Sequence, residues 1–95
     1  MKIEDLFDSF QEEYLKFERI KDPPSKRPDL CAFILLDKLF PPDKNTDIIA
    51  GAAHDEIYLD VDSEQVEKLT EEQIIYLLRC GVNYDSDTDG LLMYA

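Results

Sequence analysis

The sequence predicts an α+β fold. Two N-terminal helices, the second buried, lead into a strand, a helix and a β-hairpin, which together make a small antiparallel sheet of about three strands. Three observations predict this. Apolar residues recur every three or four positions through residues 3–20, the period of a helix with one buried stripe. From residue 56 they alternate instead, as Ile57, Leu59 and Val61, the period of a strand. Residues 82–85 and 91–94 then flank Ser86-Asp87-Thr88-Asp89-Gly90, a hairpin signal.

Each element has a local reason. Ile3, Leu6, Phe7, Phe10, Tyr14 and Phe17 form the stripe of the first helix. Glu4, Asp5 and Asp8 near its start and Lys16, Arg19 and Lys21 near its end suit the helix dipole. Asp22-Pro23-Pro24 stops it, because residues before proline avoid the α region. Residues 29–40 form a second helix, ended by Pro41-Pro42. Its near-continuous apolar run from Leu30 to Leu36 predicts a central, buried helix. Residues 47–53 read as a short helix capped by Thr46 or Asp47 and ended by His54 and Asp55. A strand over 56–61 follows, and Asp62 or Ser63 opens a helical turn through Leu69. Thr70-Glu71-Glu72-Gln73 has the form of a capping box for a helix over 71–80, with Gly81 as its left-handed stop. Gly90 is expected at positive φ in the hairpin turn.

Residues 1–95 are expected to form a single domain, and the 44% apolar content suffices to fold it. The net charge is −12, from 10 basic and 22 acidic residues. It is unevenly spread. Residues 1–44 hold eight Lys/Arg against ten Asp/Glu, whereas residues 45–95 hold only Lys68 and Arg79 against twelve. Direct nucleic-acid binding needs a basic stripe to neutralise phosphates, and no such stripe is present. Binding to an anionic membrane is disfavoured on the same ground. Cys31 and Cys80 lie in apolar helical stretches without CxxC spacing, which predicts reduced core thiols and a cytoplasmic protein. The first residues are acidic and amphipathic, unlike a signal peptide, and the apolar run 30–36 is far too short to span a bilayer.

Two stretches suggest chemistry. His54-Asp55-Glu56 places the one histidine beside two carboxylates, as a general base or metal ligand requires. Alternation along a strand would turn these neighbours to opposite faces, so they would not converge as ligands. Asp85-Ser86-Asp87-Thr88-Asp89-Gly90 matches the first half of an EF-hand loop, making Asp85, Asp87 and Asp89 candidate calcium ligands. The twelfth loop position would fall after Ala95, and residues 91–94 read as a strand rather than an exiting helix. An Asp-rich hairpin turn accounts for the same residues. No nucleophile–base pair and no glycine-rich phosphate loop occur, so neither enzymatic activity nor a cofactor is expected.

The acidic residues themselves form the expected interaction surface: Glu56, Tyr58, Asp60, Asp62, Glu71, Glu72, Asp85, Asp87 and Asp89. On an extended strand Asp60 and Asp62 would stand ~6.5–7 Å apart on one face, close to the spacing of successive phosphates. Three segments, Arg27-Pro28-Asp29-Leu30 through Leu39, Ala53 through Asp62, and Leu78 through Asp85, resemble small acidic proteins of tailed bacteriophages and prophages. The resemblance implies an intracellular protein made during infection, in the host cytoplasm, and supplies no catalytic residues. The expected function is a non-enzymatic interaction protein that binds, and inhibits, a basic nucleic-acid-binding protein. The alternatives are a calcium module using Asp85, Asp87, Asp89 and Gly90, or a small accessory or enzymatic protein using His54.

Overall fold

Two sequence signals set the second half of the chain. Asp62 and Thr70 each open a helix with a reciprocal capping box: the side chain accepts from the backbone N–H three residues on, and a glutamine there, Gln65 or Gln73, accepts from the cap's own N–H. The computed structural model describes residues 2–42 and 46–94. Its elements are α1 (Ile3–Ser9), α2 (Pro28–Leu39), β1 (Ile49–Ala53), β2 (Glu56–Leu59), α3 (Ser63–Glu67), α4 (Glu71–Arg79), β3 (Val82–Asp85) and β4 (Gly90–Tyr94). Among the described residues the fold is therefore α+β, with a four-stranded antiparallel sheet in the order β1-β2-β4-β3.

The helices lie on one face of this sheet. Leu59, Leu91, Met93 and Val82 point into the core, where they meet Phe7 of α1, Val66 of α3 and Ile74, Leu77 and Leu78 of α4. Phe7 and Tyr84 add a ring contact with centroids 5.8 Å apart. Cys31 and Cys80 are free, buried thiols in the same core. Burial pushes the Cys80 thiol up to about 12, with Cys31 beside it adding to the effect, so Cys80 is held as the neutral thiol.

Four expectations need correction. The predicted helix over 3–20 stops at Ser9 and continues as two 3₁₀ turns, Gln11–Glu13 and Phe17–Arg19. A straight helix over those residues would be ~27 Å long, as long as the molecule's shortest dimension of 27 Å. The chain instead folds around the end of α4, with Phe10, Tyr14, Phe17 and Ile20 packed on the core edge. The Leu15 N–H donates to the Leu78 carbonyl at 3.0 Å, and Glu13 accepts from Arg19 at 2.7 Å and Arg79 at 3.3 Å. The second helix is not the buried centre. Only Cys31, Ala32 and Leu36 of α2 are buried, while Leu30 and Ile34 are each 42% exposed. α2 packs on α4 and leaves Leu30 and Ile34 turned to solvent.

Residues 47–53 hold no helix. Ile49–Ala53 is strand β1, paired with β2 across a two-residue turn at His54-Asp55, which adds a strand to the expected three. Its alanines are good helix formers, but pairing with β2 overrides that weak local preference. His54 and Asp55 thus close a hairpin rather than end a helix. Finally, the positive φ of the 86–89 turn falls on Asp89 (φ 53°) and not on Gly90. Gly90 instead eases a close approach, since a Cβ there would lie 3.1 Å from the Val61 carbonyl oxygen and the backbone would have to shift to admit it. No helix of the described residues is long and apolar enough to cross a membrane.

Candidate functional site

Among the described residues the helices cover one face of the sheet, and the other face carries the side chains of alternate residues. Strand pairing puts Glu56 beside Tyr94, Tyr58 beside Leu92, Leu92 beside Asn83, and Gly90 beside Asp85 on that outer face. None of Tyr58, Leu92 and Tyr94 belongs to the helix-covered core. Leu92 is only 7% exposed even so, because it sits on a central strand between neighbours. Tyr94 is 57% exposed. The face therefore combines an apolar centre, two tyrosines and carboxylates at its margin.

Its electrostatics are one-signed. The Tyr58 hydroxyl donates to Glu56 Oε2. That hydrogen bond first, then burial, and then the charges of Glu56, Asp85 and Asp87 push the Tyr58 hydroxyl up to about 12. Tyr58 is thus a neutral donor in a negative field. The cations of the second half do little to offset this field. Arg79 is engaged with Glu13 at the end of α4, away from the sheet's outer face, and Lys68 is exposed at the end of α3.

The nine residues expected to form the interaction surface sit at three places. Glu56, Tyr58, Asp85 and Asp87 come together on the outer face and the adjoining turn. Asp89 lies in the same turn but bonds the core-side Tyr84 hydroxyl at 2.7 Å. Asp60 and Asp62 line a groove of about 260 Å³ floored by Leu36, Phe40, Ile48 and Val61. Glu71 and Glu72 lie in the first turn of α4. The regular spacing expected of Asp60 and Asp62 fails, because β2 ends at Leu59 and the Val61 N–H turns back to the Leu59 carbonyl at 2.9 Å. Asp62 is the cap of α3 rather than a strand residue.

The two chemical motifs lie in two separate turns. Asp85, 6% exposed, accepts from the Asp87 N–H at 3.1 Å through Oδ1 and from the Thr88 hydroxyl at 2.8 Å through Oδ2. These bonds make an Asx-type turn out of the half EF-hand sequence. His54 is exposed at the hairpin tip with φ 55°, a conformation histidine tolerates better than most residues. Among the described residues no group of three or more His, Cys, Asp or Glu side chains is placed to hold a metal ion.

Sequence reasoning missed Leu92 as an outer-face residue and left Tyr94 out of the expected surface. The alternation of 91–94 could have found them, had the strand been phased against Tyr58. No family model, no curated protein and no solved structure matches the chain.

Proposed function

We propose that this chain is a non-enzymatic interaction protein that binds a basic protein and inhibits it by covering its cationic surface. The outer face of the sheet carries this reading: Tyr58 and Tyr94 supply aromatic contact around the nearly buried Leu92, and Glu56, Asp85 and Asp87 supply negative charge beside them. Tyrosines of this kind are frequent anchors at protein interfaces. Carboxylates at a margin set partner choice and association rate more than raw affinity. The likeness to small acidic phage proteins supports a nucleic-acid-binding protein of the infected cell as the partner.

The experiment is capture from host extract with the wild-type chain and with a Tyr58→Ala, Tyr94→Ala variant, followed by mass spectrometry and direct titration of what is retained. The wild type should retain a basic protein, with affinity falling as salt screens the charges. The double variant should bind it at least tenfold more weakly, at about 1.4 kcal/mol per factor of ten. Retention of the same proteins by both chains, or proteins with no basic bias, would sink the reading.

A further inference from the structure

The two edges of the sheet are treated differently. At β3 the Gln11 side chain exchanges two hydrogen bonds with Asn83, of 3.0 and 3.2 Å, and α1 packs against the strand. At β1 the far side carries no strand, and no backbone hydrogen bond reaches it from the described residues. Ile49, Ala50, Ala52 and Ala53 are all exposed. The strand, Ile-Ala-Gly-Ala-Ala, contains none of the charges or prolines that usually blunt an edge. Its one irregularity is a bulge between Ile49 and Gly51, which leaves Gly51, Ala52 and Ala53 in regular pairing.

We infer that this edge takes up an extended segment of the partner as a fifth strand, and that the segment carries Lys or Arg at alternate positions. The inference rests on the proposed binding of a basic protein and adds where and how that protein engages. The pairing is available because Ala53 and Glu56 pair across the two-residue turn with their polar groups facing each other, so alternation leaves the Ala52 N–H and carbonyl pointing outward. The charge preference follows from the outer face. Gly51 lies opposite Tyr58 and Ala53 opposite Glu56, and a Cβ on Gly51 would still be 4.0 Å from the Tyr58 ring. These small residues leave the carboxylate and ring open from the side. An added strand would lie about 9–10 Å from β2, two strand spacings away. Only a long side chain spans that distance, and only a cation is attracted by Glu56 and the Tyr58 ring face. A second copy of the chain is the poorer occupant, since each copy brings a net charge of −12.

The test is an NMR titration of the ¹⁵N-labelled chain with a capped peptide alternating arginine and valine, and with an isomer in which the arginines are contiguous. The alternating peptide should slow amide exchange at Ala52 and shift the resonances of β1. It should bind several-fold more tightly than its isomer. Ala52→Pro, which removes the outward N–H at a position where an edge tolerates proline, should abolish the β1 response. Gly51→Val, which favours the strand, should weaken the alternating peptide while leaving the free sheet intact. Peptide shifts confined to Tyr58 and Tyr94, equal binding of the two isomers, or dimerisation of the free chain through β1 would overturn the inference. The first two of these leave the proposed binding of a basic protein standing; that reading fails on the capture experiment, when no basic protein is retained or both chains retain the same proteins.

Discussion

At Gly81 the backbone has φ 92°, a region that side-chain-bearing residues enter only with strain. The position ends α4, and its N–H donates to the Leu78 carbonyl at 2.9 Å, the same oxygen that accepts from Leu15. A Cβ there would lie 3.3 Å from Leu15 Cδ2, but Leu15 is 63% exposed and its side chain can yield. The cost of Gly81→Ala is therefore conformational, about 1–2 kcal/mol, and should appear as a lower midpoint in urea with an unchanged slope. Gly81 was legible as a helix stop because glycine after an apolar helix has that one common use. The Asp89–Gly90 pair was not. A positive φ and a close approach both select glycine, and only the position of the Val61 carbonyl separates the two causes.

Among the elements, the clearest local signals belong to α3 and α4. The Thr70 hydroxyl accepts from the Gln73 N–H at 3.2 Å while Gln73 Oε1 accepts from the Thr70 N–H at 2.9 Å. Thr70→Ala leaves an orphan donor at the start of the most buried helix and should cost about 1 kcal/mol, read by thermal or urea unfolding. α4 shows why patterning outperforms hydrophobicity as a guide to the core. Its polar residues marked a face, and its apolar face, with Ile74, Leu77 and Leu78 fully buried, became the centre. The uniformly apolar α2 carried no such information, and two of its apolar residues remain half in water. Likewise the alanine-rich β1 contains nothing local that demands a strand. Its partner β2 supplies the reason.

For the whole molecule, the joint between the N-terminal segment and α4 is an ion-paired one. Two arginines meet at Glu13, and the hydrogen bond from Arg19 leads the effects that hold its carboxyl below the ordinary 4.5, with the charges of Arg79 and Arg19 contributing. A carboxylate whose folded pKa is depressed stabilises the fold above its unfolded pKa and loses that effect as pH falls through the folded value. Glu13→Gln should therefore lower the Tm at neutral pH, and the difference from wild type should shrink as pH falls below about 4.5. A gap of equal size at low pH would show that the ion pairs do not hold this joint. The same joint engages Arg79 with Glu13, which leaves the outer sheet face with tyrosines and carboxylates and few cations to neutralise them.

By itself the sequence determined what depends on near neighbours: the Thr70 capping box, the helical turn after Asp62, the Gly81 stop, the β3–β4 hairpin, the strand at Ile57 and Leu59, and the acidity of the second half. These follow from bonds spanning a few residues or from composition. Tertiary structure decided what depends on distant partners. It broke the first helix at Ser9 so that the aromatic residues beyond could wrap α4, and it turned residues 49–53 into an edge strand. It also chose which face of the sheet stayed uncovered, bringing Tyr58, Leu92 and Tyr94 together from two strands. The physical reason is that helices and strands of similar composition differ little in local free energy, so the larger gain from packing and pairing selects among them.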